Sequence, residues 1–344
     1  MGVDRDHPGE FLDRHVSQRG DVAEIRVSHV RCWPGHHFNG RGPSRLCRLD
    51  PGTRRLRESK DDGQGTRGVR IHDVGDGEPS HAVVACLHGD EPCGLRAVDS
   101  VRSYRAALDG PVRVVVANER ALTADSRSVD EDLNRAFPGD PAADSHESRL
   151  AADLLDALDG LTVLDLHSTV SSPEPFAVVA HPTDRSLALA AATGTDNVVD
   201  ASHLGGELLS HVDGVAVECG HQGSTAAADV AVRVTARFLS AAGLLATPDD
   251  LSGATHVPTG ETDHGPPARE TLPAVFRIVE PAGEPDDVFV AENFLRVAAG
   301  EPFARRDGEP VTATESFYPV LMSTDGYADK LGYRATRVGR LGDV

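Results

Sequence analysis

The stretch VVACLHGDEPCGLRAV, residues 83–98, decides the fold. An apolar run without alternation stops at His88, Gly89, Asp90 and Glu91, and the spacing then becomes helical. A run with no polar face fits a strand buried on both sides, as in a parallel sheet covered by helices. The pattern recurs along the chain. HAVVACL leads into a helical stretch over 91–108, and VRVVVAN, after a long polar loop, into 145–158. LTVLDLH follows, then PFAVVA before 184–192, NVVD before a short helix near 203–210, and GVAVECG before 226–245. This order predicts an α/β protein with a mostly parallel, mixed central sheet flanked by helices. Ligands of such sheets sit at the carboxyl ends of the strands, so the residues that end each apolar run are the candidates for chemistry.

Composition shifts on either side of this block. Residues 1–70 carry 14 Lys and Arg against 10 Asp and Glu, and the remainder carries 20 against 44. The segment RCWPGHHFNGRGPSRLCRLDPG has neither helical nor strand period, which predicts that residues 1–68 are disordered or not part of the native protein. A start at Val69 would open directly on the strand pattern VRIHDVG. Residues 69–245 form the predicted main domain. Residues 246–267, rich in Pro, Gly, Thr and Asp, read as a linker. Residues 268–344, with AVFRIVEP, DVFVAENFLRV and SFYPVLM, read as a small C-terminal β domain.

The net charge of -20, with Lys60 and Lys330 the only lysines, repels phosphate backbones and excludes nucleic acid as a partner. An acidic, lysine-poor surface also suits a salt-adapted cytoplasm, where screening weakens self-repulsion. No apolar run reaches 18 residues and the N-terminus lacks an apolar signal core, so neither a membrane span nor standard export is expected. Cys32, Cys47, Cys86, Cys93 and Cys219 are odd in number and lack CxxC spacing, which predicts reduced, partly buried thiols. Homo-oligomerisation stays open.

His88-x-x-Glu91 is by itself no stronger than His7-x-x-Glu10, which has the same spacing without a buried strand beneath it. Context separates them. His88 and Glu91 lie where a strand gives way to a helix, and LTVLDLHST ends a second apolar strand in His167. Sheet neighbours that end together bring these three within reach of one ion, and two imidazoles with one carboxylate are a ligand set of catalytic zinc. The alternative is a pair of strand-end histidines bonded to backbone carbonyls. In VDEDLNRAFPGD, with Arg127 just upstream, Asn134 and Arg135 combine an amide and a guanidinium suited to a carboxylate; a polar loop with a surface salt bridge is the other reading. Glu218 closes GVAVECG and is positioned as a general base, unless it is structural. GQGTRG, residues 63–68, matches a dinucleotide fingerprint but precedes a strand instead of opening a helix, and no GxSxG elbow occurs.

Taken in order, HGDEP, NER…SRSVDEDLNRAFPG, DLHST and VECG resemble the succinylglutamate desuccinylase/aspartoacylase family of zinc carboxypeptidase-like hydrolases, over roughly residues 69–245. The resemblance implies that His88, Glu91 and His167 bind one Zn²⁺ and that Glu218 is general base and then acid. It also implies that Arg127 polarises the scissile carbonyl and that Asn134 and Arg135 hold the substrate carboxylate. YPVLMSTDGYADK resembles the family segment that brings a tyrosine to the substrate, here Tyr327. The expected activity is hydrolysis of the amide of a small N-acyl amino acid. A peptide carboxypeptidase and a non-catalytic metal-binding protein are the alternatives. Two departures stand out: the run GGELLSHVDG places Leu208 where aspartoacylases carry an arginine for the side-chain carboxylate, and Thr324 replaces a glutamate three residues before Tyr327.

Overall fold

A computed structural model describes residues 69–247, 272–324 and 326–343. The expectations for residues 1–68 and for nearly all of the 246–267 linker lie outside the described residues. The strands are β1 Arg70–Val74, β2 His81–Ala85, β3 Val112–Val116, β4 Thr162–Thr169, β5 Phe176–Val179, β6 Asn197–Asp200, β7 Gly214–His221, β8 Ala274–Ala282, β9 Val288–Phe289, β10 Pro302–Arg306, β11 Glu309–Thr312, β12 Tyr318–Val320 and β13 Gly332–Arg340. The helices are α1 Leu95–Ser103, α2 Glu119–Ala124, α3 Leu133–Ala136, α4 His146–Leu158, α5 Asp184–Thr193 and α6 Thr225–Ala241.

Ten strands form one sheet in the order β1-β3-β2-β4-β7-β5-β6-β8-β13-β12. The runs β3-β2-β4-β7 and β5-β6-β8 are parallel, while β1, the β7/β5 junction, β13 and β12 are antiparallel. This is the mixed sheet expected from the sequence. A small antiparallel sheet, β11-β10-β9, is also present near the C-terminus. Strand β8, however, continues the main sheet through parallel pairing with β6, and β13 and β12 extend it further.

Alternate residues of each strand feed two cores, because successive side chains point to opposite faces. Val83, Ala85, Leu164, Leu166, Val215 and Val217 join Val101 of α1, Leu187 of α5 and Phe238 of α6 on one face. Ala82, Val84, Val115 and Val163 join Leu150, Leu154 and Leu158 of α4 on the other. Leu154 and Phe238 are fully buried, and truncating either to alanine would cost on the order of 2–5 kcal/mol. Helix α4 begins at Ser145, whose hydroxyl accepts from Ser148 N–H, and α5 begins with a Thr183/Ser186 capping box.

The predicted helix over 91–108 is interrupted. A 3-10 turn at Pro92–Gly94 precedes α1, and a second at Arg105–Ala107 follows it. Near 203–210 only the 3-10 turn Leu208–Ser210 forms, after Gly205 and Gly206, the latter at φ +77°. DVFVAENFLRV forms a strand only over Val288–Phe289, with an isolated bridge from Val297 to Phe317, since Phe294 turns the chain at φ +66° and Asn293 instead donates to the carbonyls of Ser171 and Met322.

Candidate metal centre and active site

Each candidate residue is placed by the end of a buried strand. After β2, Cys86 takes a left-handed φ of +57°, and Leu87 and His88 follow it over the carboxyl edge of the sheet. Gly89 packs so closely against α2 that a Cβ there would lie 2.1 Å from the carbonyl carbon of Ala121. Strand β4 delivers His167, and its registered partner on β7 is Glu218.

The three ligand candidates converge. Both oxygens of Glu91 are engaged, one by His88 Nδ1 at 2.9 Å and the other by His167 Nδ1 at 3.0 Å. The opposite ring nitrogens face carboxylates too: His88 Nε2 lies 3.0 Å from Asp132 and His167 Nε2 lies 2.8 Å from Asp165. A carboxylate behind each imidazole fixes the ring and directs the other nitrogen forward, as in protein metal sites. His88, Glu91 and His167 are all buried, and one ligand atom from each lies within 4.8 Å of the others. The strand-end alternative, with backbone carbonyls as the histidines' partners, is not what is observed: carboxylates take both rings.

The electrostatics follow from this packing. Burial disfavours charge on His88 and His167, but Glu91 with Asp132, and Asp165 with Glu91, outweigh it and raise both pKa values. Burial likewise opposes charge on Glu91, yet the two imidazoles hold its carboxyl well below the ordinary range. Burial, reinforced by the neighbouring Glu91 charge and only partly offset by His167, His88 and Arg127, raises Glu218 to about 7, and its Oε2 has no hydrogen-bond partner among the described residues. Asp90 Oδ1, Asp165 Oδ1 and Ser168 Oγ are also buried without a partner among the described residues, beside the same cavity. Four unsatisfied polar atoms around one imidazole–carboxylate cluster fit a centre that binds a metal ion and a polar ligand.

The cavity has a volume of about 320 Å³ and is lined by His88, Glu91, His167, Glu218, Arg127, Asn134, Arg135 and Tyr327, so every sequence candidate reaches it. Arg127 bridges Glu91 Oε1 at 3.1 Å and Asp132 Oδ2 at 2.9 Å. Asn134 spends its side-chain oxygen on Leu208 N–H, at 3.0 Å, and so ties the 204–210 loop to the site. Arg135 Nη1 donates to the Asn134 carbonyl at 2.6 Å and to Glu207 at 3.3 Å. Tyr327, on the loop between β12 and β13, packs edge-on against Tyr333 with ring centroids 5.8 Å apart. Thr324 Oγ1 accepts from Phe289 N–H and does not support Tyr327.

Several contributors escaped the sequence reading. Asp165 lies two residues before His167 and hence on the same face of β4, a signal that strand period alone could have given. Asp132 and Glu207 carried no comparable signal. Nor did Glu147, which is fully buried at the start of α4 and accepts from the backbone N–H groups of Val129, Asp130 and Glu131 and from Asn118 Nδ2. Glu147 thereby folds the loop that carries Arg127 and Asp132.

A mixed α/β sheet with two histidines and a glutamate converging at its carboxyl edge defines an α/β protein with a candidate metal centre of the hydrolytic type. Comparison with known proteins narrows the class. Residues 78–241 match the succinylglutamate desuccinylase/aspartoacylase catalytic domain. A probable aspartoacylase of Parasynechococcus marenigrum is 36% identical over 121 residues, which cover 32% of this chain and 40% of that protein. These matches support the succinylglutamate desuccinylase/aspartoacylase family for this chain. Solved structures agree on the fold. A succinylglutamate desuccinylase/aspartoacylase from Rhodobacter sphaeroides superposes with a TM-score of 0.59 at 19% identity, covering 78% of this chain and 87% of that one. Murine aminoacylase 3 gives 0.55 at 19% identity, covering 76% and 97%.

Proposed function

We propose that the protein is a zinc-dependent amidohydrolase that cleaves the amide of a small N-acyl amino acid. One observation carries this reading: two imidazole Nδ1 atoms meet the Glu91 carboxylate at 2.9 and 3.0 Å, beside Glu218, whose buried Oε2 has no hydrogen-bond partner among the described residues. Two nitrogens and a carboxylate oxygen suit zinc, and His88, Glu91 and His167 would hold it. Zinc bound there would act as a Lewis acid toward a water molecule and an acyl carbonyl.

The protein's own groups do the rest. Glu218, poised near pH 7, accepts a proton from the attacking water and returns it to the departing amine nitrogen, so one carboxyl serves as base and then acid. Arg127 stays cationic, because Asp132 and Glu91 outweigh its burial, and it faces the negative charge that develops on the carbonyl oxygen. Arg135 binds the substrate carboxylate, with Asn134 fixing the loop beside it. Tyr327, whose pKa burial raises, stays a neutral hydrogen-bond donor at the cavity wall. No helix among the described residues is long and apolar enough to cross a membrane, in keeping with a small-molecule substrate taken from solution.

The test is a hydrolysis screen of N-acyl amino acids and short peptides in high and low salt, with and without chelator, together with elemental analysis. Chelator-sensitive release of free amine from N-acyl amino acids is expected. Turnover confined to peptides, or none on any amide, overturns the reading.

A further inference from the structure

The cavity differs in chemistry from end to end. The metal cluster and Glu218 occupy one end, while Val178, Ala201, Leu204, Leu209, Ala216 and Ile278 line an apolar wall. Two guanidinium groups and no lysine line it among the described residues. Arg127 is committed to Glu91 and Asp132, which leaves Arg135 for a substrate carboxylate. Beside Arg135 stands Glu207, whose side chain is only 12% exposed.

Glu207 is poorly satisfied. Its Oε1 receives a single bond from Arg135 Nη1 at 3.3 Å, not the paired fork of a carboxylate that clamps a guanidinium. Burial pushes the Glu207 carboxyl up and Arg135 only partly offsets this, so the group gains from a cation brought to it. An anionic side chain would meet Glu207 with no free guanidinium to balance it, consistent with Leu208 standing where an arginine for such a group is expected.

We infer that Glu207 is a specificity-determining residue that binds a side-chain ammonium, making the preferred substrate an N-acyl diamino acid. Arg135 takes the carboxylate, Glu207 the ammonium, and the methylene stem lies against the apolar wall. The inference rests on the hydrolase reading above and adds the substrate class to it. A site built around a buried charge rejects analogues that leave the charge unpaired more strongly than an apolar pocket rejects a change of size.

The experiment measures kcat/KM of the zinc-loaded full chain on N-acetyl and N-succinyl derivatives of ornithine, norleucine and glutamate, which carry cationic, neutral and anionic side chains of similar length. A preference of about tenfold or more for ornithine over norleucine, with glutamate last, is expected, and Glu207→Gln should shrink the ornithine-to-norleucine ratio about tenfold. The ranking in the unaltered protein needs no variant to fold. Equal or faster turnover of norleucine or glutamate overturns the inference but leaves the hydrolase reading intact. A Glu207→Gln variant that slows all substrates alike also overturns it, because Glu207 would then merely position Arg135. Turnover of none of the six removes both readings.

Discussion

His167 and Glu218 are registered partners on the adjacent parallel strands β4 and β7, so the sheet itself sets a candidate metal ligand beside the candidate base. Strand neighbours at the standard spacing cannot drift apart without breaking the ladder. Glu218→Gln keeps the shape of this arrangement and removes the proton acceptor. The expected outcome is a loss of about 10²- to 10⁴-fold in kcat with metal content unchanged, checked by hydrolysis rates beside elemental analysis. Loss of metal in parallel with activity would instead make Glu218 a ligand.

The pKa shifts fix the sign of a pH effect on the chelated protein. Glu218 is raised from the usual carboxylate range to about 7 by burial and by Glu91, so its protonated form is favoured and the stability it confers is lost as pH climbs toward 7. His88 and His167 are also raised, once their carboxylate neighbours outweigh burial; their stabilisation is present below their ordinary value and fades as pH passes through the raised ones. Glu91, depressed by the two imidazoles, varies only at more acidic pH, where its contribution falls with pH. The chelated protein should therefore lose Tm from about pH 5 to 8, with at most about 3 kcal/mol of this from Glu218 at ~1.4 kcal/mol per unit. Added zinc competes with protons for the imidazoles, so its stabilisation should grow over the same range. Thermal melts with and without chelator check both slopes; a chelated Tm that rises with pH would contradict the assigned environments.

Much of this site was legible because its residues end apolar runs. His88 and Glu218 each follow a stretch with no polar face, and His167 one broken only by Asp165 and Thr162; a polar side chain in that place has few structural reasons to exist. What stayed hidden depends on tertiary contact. Glu147 reads as an ordinary acid in the first turn of a helix, and only the folded loop over it reveals four hydrogen bonds. Glu207 lies in a polar stretch with no period. Strand β13 escaped because its arginines, Arg334, Arg337 and Arg340, break the apolar pattern that marked the inner strands. Strand β8 was legible as a strand, but its parallel pairing with β6 across the long intervening segment was not, since sequence carries no signal for which edge a returning chain will meet.

Asp165 sits behind His167 at 2.8 Å and is almost completely buried. Removing the charge that orients a ligating imidazole lowers metal affinity about 10- to 100-fold in comparable sites. Asp165→Asn should show a weakening of that size in competitive zinc titration, while a substrate-site change such as Arg135→Ala should leave zinc affinity within about threefold. Equal affinity in Asp165→Asn and the unaltered protein would mean that His167 is not a ligand.

Glu147 supplies the anchor for the loop of Arg127 and Asp132 through three backbone N–H groups and Asn118. Glu147→Ala leaves those buried donors unpaired, at a cost of about 1–3 kcal/mol for each left unsatisfied. Denaturant unfolding should show a loss of several kcal/mol. Zinc affinity should fall as well, because Asp132 would no longer be held against His88 Nε2. If stability drops while zinc binding and turnover per folded molecule persist, the loop is set by something other than Glu147.

Gly89 separates a steric requirement from a conformational one. A Cβ at Gly89 would lie 2.1 Å from Ala121 C and 2.2 Å from Leu122 N, both backbone atoms of α2 that cannot rotate aside. Gly160 has φ +71° but nothing within 4 Å of its own added Cβ, so Gly160→Ala carries only the left-handed penalty of about 1–2 kcal/mol. Gly89→Ala must push α2 and the His88 turn apart, an overpacking cost of about 1–3 kcal/mol or more, and must also move His88 relative to Glu91 and His167. The expected result is that both variants lose Tm but only Gly89→Ala loses zinc affinity and hydrolysis. Should Gly89→Ala bind zinc as tightly as Gly160→Ala, the close approach to α2 does not position His88.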